Sequence, residues 1–211
     1  MLSDGTVIGR EFLKLPREKD SLRHRLNKIK KAQQNGAIKM PRLWAKAKGI
    51  NLSIAHKMSQ FIIKVAKLYC ADTIVFEYLD LQGRERGSKK QRLHHWKAQT
   101  VQQIVSCKAH REGMRVSRVC AWNSSKLAFD GSGSVERDKD NYSMCTFTSG
   151  KRYNCDLSAS YNIGARYFIR EILKSLPVKV RLGIEAKVPE CTKRTTCTLD
   201  TLINLNAELA A

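Results

Sequence analysis

The spacing of apolar positions changes several times along the chain, and each change predicts an element. Thr6-Val7-Ile8 and Glu11-Phe12-Leu13 flank a Gly9-Arg10 turn and predict two short strands. After Pro16, Leu22, Leu26 and Ile29 recur at helical spacing through a polar segment that runs to about Gln34 and stops at Asn35-Gly36. Pro41 to Gly49 reads as a basic connector around Trp44, and Asn51 or Ser53 suits the N-cap of the next helix. Ala55, Met58, Ile62, Val65 and Tyr69 share one face of that helix. Thr73 to Leu79 is nearly continuous in apolar character, which predicts a central strand covered on both faces.

Asp80 to Arg92 is Gly- and charge-rich and reads as a loop. Trp96, Val101, Ile104 and Val105 mark a helix stopped by Gly113, and Arg115 to Trp122 alternates as a strand. Residues 123–154 show no clear period and contain one turn signal, Asp130-Gly131-Ser132-Gly133. Ala159, Ile163, Ala165, Phe168 and Ile172 place a helix from Asp156 to about Lys174, ended by Pro177. From Val178 onward the pattern is weak, and a peripheral or partly disordered tail is expected. The order β–β–α–α–β–α–β–α argues for an α/β fold with a mixed sheet.

Composition adds constraints on location and chemistry. The 211 residues are 42% hydrophobic, enough for one core, yet no run approaches the ~20 apolar residues of a membrane span. Met1 is followed by Leu-Ser-Asp-Gly-Thr, without the basic and apolar regions of a secretory signal. The seven cysteines are odd in number, scattered and nowhere arranged as Cys-x-x-Cys. A reducing, cytoplasmic setting without a disulfide framework or a membrane partner is therefore expected.

Charge changes the picture most. The formal net charge is +20, and it is concentrated in two blocks. Arg10 to Lys48 holds 13 basic against 3 acidic residues, and Arg84 to Arg118 holds 10 against 2. The stretch between them is neutral and apolar. Blocks of one sign flanking such a segment suit the walls of a phosphate-binding groove better than a solvated helix face, which mixes both signs. Arg23, Arg25, Lys28, Lys30, Lys31, Lys46 and Lys48 in the first block are the candidate contacts to nucleic acid. In the second block they are Arg84, Arg86, Lys89, Lys90 and Arg92.

Two carboxylates draw attention in this basic setting. Glu77 interrupts Ile-Val-Phe-Glu-Tyr-Leu, where burial is costly without a cation or a solvent-facing edge. Asp156 opens an apolar helix directly after an irregular segment, a position that also suits an ordinary N-cap. Phosphodiester cleavage uses carboxylates at strand and helix ends to hold Mg²⁺ ions about 4 Å apart.

Val75-Phe76-Glu77-Tyr78-Leu79, the strand ending Val116-Ser117-Arg118-Val119-Cys120, and Asp156-Leu157-Ser158-Ala159-Ser160-Tyr161-Asn162-Ile163 carry a family resemblance. Together they resemble the C-terminal half of the TnpB/OrfB proteins of insertion sequences. These are transposon-encoded, RNA-guided DNA endonucleases related to type V CRISPR effectors. The last motif is similar to the family's Asp-x-Asn-Ala-x-x-Asn-Ile, with Ser158 in place of Asn. The resemblance covers nearly all of residues 1–175.

The resemblance implies a RuvC-like, RNase H-type mixed sheet with flanking helices. Glu77 and Asp156 would then be the second and third metal-binding catalytic carboxylates, holding Mg²⁺ or Mn²⁺, with DNA and a guide RNA as partners. Asp4-Gly5-Thr6-Val7-Ile8 is similar to the turn after the family's second strand. The first strand and its Asp in an Asp-x-Gly setting are therefore expected to lie outside this chain, on a separately encoded N-terminal half in the split-nuclease alternative. Residues 1–122 would form the first part of the core and 123–154 a degenerate zinc-ribbon-like insertion. The final core helix would be 155–176 and a peripheral tail 177–211. Where the family has two Cys-x-x-Cys pairs, this chain keeps only Cys120 and Cys145, so zinc is not expected, because two thiolates do not close a tetrahedral site. The expectation is an N-terminally truncated nuclease half with an incomplete two-metal site. The alternatives are a non-catalytic, repressor-like binder of guide RNA or DNA, or one half of a split nuclease.

Overall fold

The structure, a computed structural model, describes residues 1–78 and 89–211, with the side chains of 89–96 outside the description. Arg84 and Arg86 lie outside the described residues; Lys89, Lys90 and Arg92 fall in the first turn of a helix whose side chains there are not described. Among the described residues the fold is mixed α/β. Its order is α1 (Pro16–Gln34), α2 (Pro41–Leu68), β1 (Thr73–Tyr78), α3 (Lys89–Arg111) and β2 (Arg115–Cys120). There follow β3 (Glu136–Arg137), β4 (Met144–Thr146), β5 (Arg152–Asn154), α4 (Cys155–Ser175), α5 (Val178–Lys187), a 3₁₀ turn (Pro189–Thr192) and α6 (Leu199–Ala210). β1 and β2 form a parallel two-stranded sheet across the α3 connection, and β3-β4-β5 form an antiparallel one. The chain divides into two compact units.

The helical unit comprises Glu11–Ile74 and the described part of Leu79–Val116. Pro16 starts α1 at a position where no donor is lost, and Gly36, at φ +82°, ends it. Gly36 N–H donates to Gln33 O and Ala37 N–H to Ala32 O, the doubled bond of a Schellman cap. Gly113 closes α3 the same way, and α2 does so with Cys70, a non-glycine residue at φ +49°. Leu22, Ile29, Met40, Ala47 and Ile54 bury the α1–α2 contact. Farther along, α2 turns Ala55, Ser59, Ile63 and Ala66 inward and α3 turns Val101, Val105 and Ala109 inward.

Two expectations fail here. Residues 41–49 are the first turns of α2, not a connector; Pro41 provides the start and Ala47 is fully buried. Neither Asn51 nor Ser53 caps a helix, because both sit inside α2, Asn51 with 1% exposure. Packing of Ala47 and Ile54 against α1 outweighs the roughly 1 kcal/mol that Gly49 costs inside a helix.

The second unit comprises Met1–Arg10, Val75–Tyr78 and Ser117–Ala211. Its core joins Tyr161, Ala165 and Ile169 of α4 to Ile184, Val188, Cys191, Cys197, Leu199, Leu202 and Leu205. The residues expected to form a peripheral or partly disordered tail thus supply seven of these ten core residues. α6 opens with a capping box between Thr198 and Thr201. The two N-terminal strands are also absent. Residues 3–5 instead lie against α6, where a Cβ on Gly5 would stand 3.1 Å from Ile203 Cγ1 and Asn206 Nδ2 donates to Ser3 O at 3.0 Å. Asp4 bonds within its own turn to the Thr6 N–H and hydroxyl.

Candidate functional site

Glu77 is the penultimate residue of β1 and is exposed, as is Tyr78 after it; only Ile74 in that strand is buried. The strand is therefore not covered on both faces, and the sequence's odd carboxylate faces water. Asp156 is also exposed, in the first turn of α4. It is not the N-cap. Asn154 takes that role, its Oδ1 accepting from the Asp156 and Leu157 N–H groups at 3.0 Å each. Among the described residues no side chain bonds to the Asp156 carboxylate, which sits where the helix dipole favours a negative charge. Both carboxylates belong to the same unit.

The rest of the Asp156 motif is structural. Asn162 is fully buried, donates to Ser124 O and Leu127 O at 3.0 and 2.9 Å, and accepts from Leu199 N–H at 3.2 Å. Ser158 donates to Leu127 O. These bonds hold the segment after β2 against the first half of α4. Arg166, 5% exposed and marked by no signal in the sequence, holds the next part. Its guanidinium donates to Cys120 O at 2.7 Å, Trp122 O at 2.8 Å, Thr195 O at 2.9 Å and Cys197 O at 3.1 Å. Arg170 continues along β2 to Arg118 O and the Ser117 hydroxyl. α4 therefore runs antiparallel to β2, and about 15 Å of helix separates Arg166 from Asp156. The first turn of α4 projects beyond the carboxyl end of β2.

The cysteines sort differently from the zinc-ribbon expectation. Cys145 lies beside Cys155, both 1% exposed, in a small core with Ala128 and Phe147. Burial, followed by the bond to the Cys155 thiol, pushes the Cys145 thiol up to about 12. Cys120 does not join this pair. Among the described residues no three His, Cys, Asp or Glu side chains come together as a metal site. The three-stranded β3-β4-β5 sheet is held by aromatic packing: Phe129 meets Phe147, Tyr153 and Tyr161 edge-on with centroids 5.0–5.4 Å apart.

In the helical unit the first basic block faces outward. Arg23, Lys28, Lys30, Lys31, Lys46 and Lys48 are exposed and Arg25 is half-buried. Arg23 pairs with Asp20 at 3.0 Å; the other six bond to no described side chain. Lys97 of α3 is held below the usual lysine range by burial and then by the like charge of Lys19. An anion would relieve that repulsion. Acidic neighbours pair elsewhere, Glu18 with Lys57 and Glu112 with Lys67.

Glu77 and Asp156 offer hard oxygen donors open to solvent, which suits Mg²⁺ or Mn²⁺ retaining waters and phosphate oxygens. No helix among the described residues is long and apolar enough to cross a membrane. No family model matches the chain, and no curated protein matches it.

Proposed function

We propose that this chain is a TnpB-like, RuvC-type nucleic-acid-binding protein, part of a DNA endonuclease in which Glu77 and Asp156 are two of the metal-binding carboxylates. The observation that carries the reading is Asp156. Its helix is already capped by Asn154, its carboxylate is exposed, and Asn162 and Arg166 fix the backbone beneath it. Asn154 already caps the helix, so the Asp156 carboxylate adds no capping bond and contributes only its charge at the helix start.

When bound, Mg²⁺ would polarise the scissile phosphodiester and lower the pKa of an attacking water. The chain's own residues supply the rest. Glu77 and Asp156 hold negative charge at a strand end and a helix start, and the cations of α1 and α2 neutralise phosphates without reading sequence. In the family a guide RNA reads the target by base pairing, and such a division of labour needs only backbone contacts from the protein. In the family a third carboxylate completes the two-metal site, and the reading here rests on Glu77 and Asp156.

The test is salt-sensitive binding of DNA and RNA in EDTA, followed by Mn²⁺ binding and cleavage. Binding in EDTA should persist in Glu77→Gln and Asp156→Asn, whereas Mn²⁺ affinity should fall about tenfold or more in each. Cleavage should be lost in either variant. Efficient cutting that survives both substitutions would remove the carboxylates from the mechanism. Binding without any metal effect would leave a non-catalytic guide-RNA or DNA binder.

A further inference from the structure

The two parallel strands end in exposed aromatic side chains. Tyr78, the last residue of β1, is 60% exposed, and Trp122, two residues past β2, is 65% exposed. Neighbouring strands lie about 4.8 Å apart, so both rings stand at the same edge of the sheet, its carboxyl end. That edge is where open parallel α/β sheets bind ligands.

Trp122 is exposed on a fixed backbone. The buried Arg166 holds the carbonyls of Cys120 and Trp122, and Ser124 N–H closes a turn onto Ala121 O at 3.1 Å. Asn123 follows in the left-handed region at φ +59°, a conformation Asn tolerates through its short polar side chain. A large ring presented rigidly loses little conformational freedom when it is covered.

The surroundings select the occupant. Arg118 and Lys126 are exposed on either side of Trp122 in sequence, and Lys126 N–H bonds to Asn123 O in the same turn. A protein partner would be better served by neighbouring apolar side chains. Exposed cations four residues to either side of an exposed aromatic ring match the backbone and bases of a single strand, whose phosphates take the charges while a base stacks on the ring. A duplex keeps its bases stacked inside and offers no face.

We propose that Trp122, together with Tyr78, is a stacking platform for an unpaired nucleobase of a single-stranded nucleic acid. This rests on the nucleic-acid reading above. It deepens that reading by naming the state of the strand recognised at this end of the sheet.

The experiment compares oligothymidylate with an abasic oligomer of the same length and charge, by fluorescence anisotropy in EDTA at fixed salt. The expected result is about tenfold or more tighter binding of oligothymidylate by the unaltered protein. Trp122→Ala should weaken that binding about 5- to 100-fold, the range for losing one stacked base, and leave abasic binding unchanged. Trp122→Phe should recover most of the loss, which separates stacking from a folding defect. Equal affinity for the two oligomers, or an equal loss on both in Trp122→Ala, overturns the platform and leaves phosphate binding standing. Failure to bind either oligomer overturns the nucleic-acid reading as well.

Discussion

In the unit built on α4, buried polar side chains are consumed by the fold. Arg166 gives its donors to four carbonyls in two segments, Asn162 satisfies three backbone groups, and Thr198 and Thr201 cap α6 reciprocally. In the helical unit Ile29, Ala47 and Ile54 bury the contact, while Arg25, Lys28, Lys30, Lys31, Lys46 and Lys48 bond to no described side chain. One unit spends its polar groups internally and holds Glu77, Asp156 and Trp122 on a fixed frame. The other leaves its cations in water, where each adds little to stability and is available to a polyanion.

That contrast is easiest to break at Asn162. Asn162→Ala leaves Ser124 O, Leu127 O and Leu199 N–H without their buried partner, and should cost about 2–4 kcal/mol. Urea unfolding should show it as a lower midpoint with an unchanged slope. A loss below about 1 kcal/mol would mean that water replaces the amide and the frame is looser than described.

A smaller effect on stability, but a larger one on binding, is expected in α1. Replacing Lys28, Lys30 and Lys31 together by Ala should change stability by no more than about 0.5 kcal/mol per site. The slope of log affinity for nucleic acid against log salt should shrink by about 2–3. An unchanged slope would place the phosphate contacts elsewhere and dissolve the contrast between the units.

The smallest effect concerns alkaline pH. The Cys145 thiol is held far above its ordinary value of 9.0, so folding favours the neutral form. Its contribution is fully present below about pH 9 and is lost as pH rises toward about 12. Melting temperatures from pH 8 to 11 should fall more steeply for the unaltered chain than for Cys145→Ala. Parallel curves would show that the thiol ionises freely and that the small aromatic core around it admits water.

Parts of this arrangement are legible in the sequence because their cause is local. Pro16 and Gly36 bracket α1, Gly113 closes α3, and the apolar period from Ala159 to Ile172 marks α4. Cys70 does the same work as those glycines at φ +49°, and no residue-type signal announces it. The alternation at residues 6–13 is equally local but pairs with no strand among the described residues, and the turn at residues 3–5 packs against α6 instead. Asp156 at a helix start invites the reading of an N-cap. Only the geometry assigns the cap to Asn154 and leaves the aspartate exposed.

The sequence by itself determined both ends of α1, the end of α3, the charge blocks, the two carboxylates and the motif that carries the family resemblance. These follow from backbone propensities and composition, which act over a few residues. The tertiary structure decided which polar groups are buried and which aromatics are not. Arg166 reads as one more cation until it meets Cys120 O across 46 residues, and Asn162 as one more Asn until it meets Leu199 across 37. Glu77, Tyr78 and Trp122 are exposed although apolar residues precede them in sequence. Burial is a property of contacts between distant segments, and no window of neighbouring residues contains it.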